Sequence, residues 1–491
     1  MKTLRPIMFV GTGSDVGKSV INTAFCRIFL QDGYSPAPFK AQNMSLNSYA
    51  TPEGLEIGRA QAVQAEACGI APSVTMNPVL LKPTGDMKSQ VVLNGKPAGT
   101  KTAAEYFNRS GRDALFNEVI QSWRQLAKQY NPVVIEGAGS VSEMNLWDRD
   151  IVNMRVAEAV NAPTFLVADI DRGGVFASVY GSIKLLPPNW QKLIKGIIIN
   201  KFRGDMQLFK DARHTLKEIT GVPVVGVIPW FNHIHIEQED SVVLDRINQH
   251  SQKGKINIAV VRLPHLSNFT DFDALQMVKE VNLYFTQSSD EMQKADIIML
   301  PGSKNVISDM DFLNQTGLAS TIQELHQHQK PLYGICGGYQ MMGETILDPH
   351  QVEGSYTEIK GLGILPVSTT LTTEKRTVQC HFSFIHNPKT TGEGYEIHMG
   401  VTTSQTPSPL SVLNDGTMDG HFLNAQTWGS YIHGIFDNDS VIQQVLELIN
   451  PEINVQIDYK KVKEEGYNQL ASLVREQTDM DYIYQCLQSN D

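Results

Sequence analysis

The sequence contains no run of basic residues, no low-complexity tract and no internal repeat. It also lacks any apolar stretch approaching the roughly 20 residues a membrane-spanning helix requires. The formal net charge is −11. Without a compensating basic patch, that charge argues against a nucleic-acid binder, whose affinity comes from neutralising phosphates. The apolar run Ile7–Val10 is too short for the core of a secretory signal and turns directly into glycine, so no signal peptide is expected. Cysteine is scarce: Cys26, Cys68, Cys336, Cys380 and Cys486 are odd in number and irregularly spaced. That spacing fits neither a disulfide framework nor a zinc knuckle, and it leads us to expect a reducing cytoplasm with free thiols. What remains is ordinary globular composition, 41% hydrophobic and 19% charged over 491 residues, enough for two to four domains.

Short β-rich runs alternate with helical stretches through residues 1–230, the pattern of a parallel sheet covered by helices. Expected strands are Ile7–Val10, Val133–Ile135, Thr164–Ala168, Gly196–Ile199 and Val224–Ile228. Residues 231–255 turn polar and irregular, with His233, His235, Glu237, Glu239 and Asp240 crowded together, and read as a linker. A second α/β pattern occupies residues 256–440, with strands at Ile256–Val261, Asp296–Leu300 and Leu332–Ile335. Residues 441–491 read as a tail of amphipathic helices, Val441–Ile449 and Val462–Val474, with a polar end.

The first strand empties into Gly11-Thr12-Gly13-Ser14-Asp15-Val16-Gly17-Lys18-Ser19. A strand, a glycine-rich turn and Gly-Lys-Ser opening a helix make a phosphate cradle. Backbone N–H groups point inward, the lysine reaches the terminal phosphates, and the serine hydroxyl can ligate Mg²⁺. Thr12 stands where the usual loop begins with glycine. A metal on a triphosphate also needs a carboxylate from a neighbouring strand end, and Glu136, closing Val133–Ile135, is the candidate. Asp169 and Asp171 end another strand, and either is a candidate to approach the metal or the substrate. Asn200, ending Gly196–Ile199, is a candidate reader of the purine base.

Far along the chain, Gly334-Ile335-Cys336-Gly337-Gly338 has the G-x-nucleophile-x-G form of a strand-to-helix elbow. Small neighbours let a nucleophile stand exposed, and the N–H of Gly337 can stabilise an oxyanion. Gly302, in Pro301-Gly302-Ser303 after Ile297–Leu300, is the candidate second donor. His433, delivered by a β-like run into a small-residue turn, is the candidate base. The alternative for Cys336 is an inert buried thiol.

These segments, with Phe39–Ser48, Glu56–Gln61, Asn77–Pro83, Asp169–Phe176, Tyr395–Gly400 and Tyr431–Phe436, resemble the cobyric acid synthase family over nearly the whole chain. The resemblance implies an α/β architecture: an N-terminal P-loop parallel-sheet domain similar to dethiobiotin synthetase, and a C-terminal class I glutamine amidotransferase domain. It implies ATP, Mg²⁺ and glutamine as nitrogen donor, a corrinoid substrate, and amidation of the b, d, e and g carboxylates of adenosylcobyrinic a,c-diamide. Cys336 matches the family's nucleophile and His433 its histidine. Class I glutaminases carry a glutamate two residues beyond that histidine; here the position is Ile435, as in the cobalamin branch. The residue orienting His433 is left open, with Asp437 and Glu396 as candidates. Lys40, Asn43, Asn47, Asp171 and Arg172 are candidates for holding a carboxylate-rich corrinoid.

Two other readings use the same motifs. One is a cobyrinic a,c-diamide synthase, with the same two-domain plan but a different signature at Gln42–Asn47. The other is a partitioning-type switch ATPase with an inactive glutaminase appendage. Such ATPases carry an additional lysine four residues before the second loop glycine, where this chain has Gly13.

Overall fold

The computed structural model describes residues 3–85, 88–106, 108–207, 209–239, 244, 249–354 and 356–488. Within the expected linker, Asp240 and residues 241–243 and 245–248 lie outside the described residues. The first domain is built on β1 (Ile7–Gly11), β2 (Ala37–Phe39), β3 (Val133–Glu136), β4 (Thr164–Asp169), β5 (Ile194–Phe202) and β6 (Val224–Pro229). Their order is β6-β5-β4-β1-β3-β2, every pair parallel. Continuous apolar runs such as Ile7–Val10 suit this sheet because both faces are covered, and all of β1 is buried. With β3 and β4 on either side of β1, the carboxyl ends of these three strands frame the crevice where such sheets bind ligands. Helix α1 (Lys18–Gln31) starts from that crevice. Between β2 and β3 the chain makes a side sheet of Gln42–Met44, Val79–Gly85, Lys88–Leu93 and Lys96–Thr102.

The second domain begins with β7 (Ile256–Val261), β8 (Val281–Thr286), β9 (Ile297–Leu300) and β10 (Leu332–Ile335), followed by α2 (Gly337–Met342). Two long strands, β11 (Ser368–Phe384) and β12 (Thr391–Thr403), pair antiparallel. After them come β13 (His421–Asn424), β14 (Thr427–Ser430) and the short β15 (Ile432–His433). The main sheet runs β8-β7-β9-β10-β14-β13, parallel except for the β13–β14 edge. β15 instead pairs with β12, Tyr395 opposite His433.

The C-terminal helices part company. α3 (Asp439–Leu446) buries Val441, Ile442 and Val445 in the second domain's core. α4 (Tyr459–Gln477) and α5 (Met480–Gln488) return to the first domain and cover α1. Leu470, Ala471 and Val474 share a core with Phe25, Ile28 and Phe29, and Arg475 is paired with Asp32 at 2.9 Å. These helices therefore complete the first domain's core rather than trail from the second. No helix among the described residues is long and apolar enough to cross a membrane.

Candidate active sites

The phosphate loop joins β1 to α1, with Gly17 in the left-handed region at φ 95°. Glycine is required there, because a Cβ would sit 2.0 Å from Asn200 Nδ2. Asn200 is buried behind the loop, and its amide donates to Val16 O at 2.9 Å. The structure thus places Asn200 as a brace for the loop. Lys18 Nζ donates to Gly13 O at 2.9 Å and to Gly139 O at 3.0 Å, drawing the loop toward the end of β3. Burial pushes the Lys18 ammonium down to about 8, against the attraction of Glu136.

Glu136 collects the groups around it. Its Oε1 accepts from Ser19 Oγ and from Lys40 Nζ, both at 2.8 Å, and its Oε2 accepts from Gln64 at 2.6 Å. Burial would raise its pKa, but the Lys40 ammonium and these hydrogen bonds hold the carboxyl below its usual range. Lys40, read from the sequence as a substrate-facing cation, also lies 3.5 Å from Glu239 Oε2. Asn43 donates to Gln61 at 3.0 Å and to Glu239, and Asn47 donates to the Glu239 carbonyl at 2.6 Å. Ser19, Lys40, Asn43, Asn47, Glu136 and Glu239 line one cavity of about 720 Å³ with Ser14, Asp15 and Lys18, a volume ordinary for a small-molecule site. Asp171 and Arg172 do not line it. Asp171 pairs with Arg203 at 2.9 Å, and Arg172, largely exposed, reaches the cavity only through Asp15 at 2.8 Å. Ser19 and Glu136 offer the hard oxygen donors that suit Mg²⁺, with Lys40 Nζ as a resident cation on the same carboxylate oxygen.

In the second domain, Cys336 sits at the β10–α2 elbow with φ 51° and ψ −108°, a strained conformation that a nucleophile elbow uses. A Cβ on Gly338 would come within 2.0 Å of Leu300 O, so the turn closes only with glycine. Gly302 and Gly337 both border the thiol's surroundings: the Cβ position of Gly302 is 3.3 Å from His433 Cε1, and that of Gly337 is 2.7 Å from Ser303 N. Asp309, fully buried, fixes this loop by accepting from Ser303 Oγ at 2.6 Å.

His433 is buried, and its Nδ1 lies 2.7 Å from Asp271 Oδ2; Asp271 Oδ1 accepts from Gly434 N at 2.9 Å. Burial would lower the imidazolium pKa, but Asp271 and then Cys336 raise it to about 10. Neither of the expected orienting residues does this. Glu396 is held by Arg376, and Asp437 Oδ1 has no hydrogen-bond partner among the described residues. Asp271 comes from a short 3₁₀ turn, Phe269–Phe272, after β7, and the sequence reading missed it. The local signal was slight: two acids, Asp271 and Asp273, on either side of Phe272. Cys336, His433 and Asp271 are therefore arranged as the members of a Cys-His-Asp constellation would be.

Cys336 and His433 border a narrow chamber of about 50 Å³ that first-domain residues also line. Three segments contribute neighbouring residues to the two cavities. Asn47, Pro83 and Leu266 line the phosphate cavity, while Ser48, Lys82 and Ser267 line the thiol chamber. Adjacent residues of each segment thus line different cavities. Lys82 Nζ donates to Ser48 Oγ at 2.9 Å and to Glu56 Oε1 at 2.7 Å, and Glu56 also binds Lys375 of β11, so an ion triad joins the domains.

Comparison with known proteins agrees with this division. Residues 7–242 match the CobQ/CobB/MinD/ParA nucleotide binding domain, and residues 257–441 match the CobB/CobQ-like glutamine amidotransferase domain. The chain is 57% identical to a cobyric acid synthase of Parabacteroides distasonis, with 99% of each chain covered. It is 55% identical to that of Bacteroides fragilis, covering 100% of each, and 44% identical to that of a Thermoanaerobacter species, covering 98% of each. A nucleotide-binding domain joined to a glutamine amidotransferase domain equips an enzyme to couple nucleotide use to amide formation. This chain belongs to the cobyric acid synthase family.

Proposed function

We propose that the chain amidates the b, d, e and g carboxylates of adenosylcobyrinic a,c-diamide, giving adenosylcobyric acid, with ATP as activator and glutamine as nitrogen donor. The observation that carries this reading is that adjacent residues of three segments line the phosphate-loop cavity and the chamber of Cys336. A carboxylate resists nucleophiles because it is charged and its leaving group would be oxide. Transfer of the γ-phosphoryl group makes an acyl phosphate, and ammonia displaces the phosphate. Lys18 and the loop N–H groups favour the charge that develops on the moving phosphoryl group. Mg²⁺, held by Ser19 and Glu136, would neutralise the β- and γ-phosphates.

At the other site Cys336 attacks the glutamine amide carbon, with His433 protonating the departing ammonia. Asp271 stabilises the imidazolium, and Gly302 and Gly337 face the oxyanion. Water then hydrolyses the thioester to glutamate. Ammonia is mostly protonated in neutral water and then is no nucleophile, so it must cross sheltered from solvent. The partition formed by Asn47–Ser48, Lys82–Pro83 and Leu266–Ser267 is the crossing this reading requires.

The test incubates the protein with ATP, Mg²⁺, glutamine and cobyrinic a,c-diamide and follows corrinoid mass. Stepwise replacement of hydroxyl by amino groups supports the reading; ATP turnover with unchanged corrinoid would sink it. Activity on cobyrinic acid at its a and c carboxylates alone would favour the sister diamide synthase. Cys336→Ala is expected to lose glutamine use and keep ammonia-driven amidation, whereas Lys18→Ala loses both.

A further inference from the structure

β12 carries His398 to the thiol chamber, which it lines together with Cys336, Gln340 and His433. Its ring is held firmly. It stacks on Tyr431, with centroids 3.7 Å apart and planes inclined by 15°. Tyr431 is itself tied down by Gln340 at 3.1 Å and Thr402 at 2.5 Å. His398 Nδ1 lies 2.9 Å from Gly400 O. A carbonyl oxygen only accepts, so Nδ1 carries the proton and Nε2 presents a lone pair. That Nε2 is shut off from solvent and has no hydrogen-bond partner among the described residues. Native proteins rarely leave a buried acceptor unmatched, and each exception needs an explanation. An orphaned acceptor on a residue that lines a nucleophile chamber calls for a donor on the substrate.

We propose that His398 Nε2 accepts a hydrogen bond from the side-chain amide N–H of the incoming glutamine and thereby selects glutamine over glutamate. This rests on the reading of Cys336 as the glutamine nucleophile. A carboxamide brings two N–H donors, whereas the glutamate left after hydrolysis brings only acceptors, which would meet the ring's lone pair with lone pairs of their own. Protonating the ring would reverse the preference by making Nε2 a donor. Burial prevents this, pushing the His398 pKa down to about 4 despite the Gly400 carbonyl. The same acceptor thus favours entry of substrate and departure of product.

The test compares the full-length enzyme with His398→Phe, which keeps a ring against Tyr431 but has no acceptor, and with His398→Gln, which restores one. Amidation is measured with glutamine and with ammonia, together with inhibition by glutamate. One neutral hydrogen bond corresponds to about tenfold in affinity. His398→Phe should therefore raise the glutamine KM about tenfold, raise the ratio of that KM to the glutamate inhibition constant, and leave the ammonia-driven rate unchanged. His398→Gln should recover most of the loss. Unchanged KM and ratio in His398→Phe, or equal losses in both variants with an unchanged ratio, would overturn the proposal. A second measurement does not depend on these variants folding. In Cys336→Ala with ¹⁵N-labelled histidine, saturating glutamine should move the His398 Nε2 resonance toward that of a hydrogen-bonded acceptor, while glutamate should not. A resonance that glutamine leaves in place also overturns it. Failure of the underlying reading looks different: the unmodified enzyme would then amidate with ammonia and not with glutamine.

Discussion

Replacing Asp271 by asparagine keeps the volume and one of two hydrogen bonds but removes the charge. The new carbonyl can still accept from Gly434 N, which Asp271 Oδ1 now does at 2.9 Å. The new amide then faces His433 Nδ1, 2.7 Å away in the native arrangement. Two N–H groups cannot share that line, so the ring must turn Nδ1 into an acceptor and move its proton to Nε2. The imidazolium also loses its counter-charge. Its pKa, raised to about 10 beside Asp271 and Cys336, would fall, because the carboxylate that contributes the larger attraction is gone. The equivalent change in a serine triad lowers turnover by about 10⁴-fold through the wrong tautomer. We expect Asp271→Asn to lose about 10³- to 10⁴-fold in glutamine-driven kcat, with ammonia-driven amidation unaltered. Initial rates of corrinoid amidation with each nitrogen source decide it. A glutamine-driven rate within about tenfold of wild type would refute the assignment of Asp271 as the group that orients His433.

Lys18, depressed to about 8 by burial, should regain its proton beside a triphosphate, so nucleotide binding above that pH takes up a proton and ATP affinity falls as pH rises. Calorimetry in buffers of different ionisation heat reads the uptake; proton release, or the same uptake in Lys18→Met, would contradict it. Gly17→Ala puts a Cβ 2.0 Å from Asn200 Nδ2 at φ +95°, a conflict worth about 1–3 kcal/mol, and should weaken ATP binding at least tenfold; native affinity measured by fluorescence titration would show that the loop tolerates it. Leu470→Ala removes a fully buried side chain between α4 and α1 and should cost about 2–5 kcal/mol in urea unfolding; a cost below about 1 kcal/mol would mean that α4 does not belong to that core.

The features that were legible in the sequence are those whose chemistry is local. The strand, turn and helix that form the phosphate loop adjoin one another, and so do β10, Cys336 and α2. The apolar runs of both parallel sheets announce burial on two faces without reference to any partner. What the sequence hid was assembled across the chain. Asp271 reaches His433 from 162 positions away, and nothing in its own neighbourhood distinguishes it from Asp273. Lys40 was recognisable as a cation near a strand end, but its position on Glu136 depends on β2 and β3 lying side by side. The helix α4 was visible as an amphipathic stretch, because period alone reveals an apolar face, whereas α5 read only as a polar end. Period does not say which core that face covers.

That return of α4 and α5 bears on how the protein comes into being. The strands of the first domain leave the ribosome early, yet Phe25, Ile28 and Phe29 keep an open flank until residues beyond 459 arrive to cover it. The whole glutaminase domain is synthesised in the interval and can fold as a unit while its predecessor waits. The first domain's core is therefore the first to be translated and the last to be closed. A chain cut short after the second domain would carry an intact Cys336 site beside an uncovered apolar face on the first, a form prone to aggregate and to be cleared.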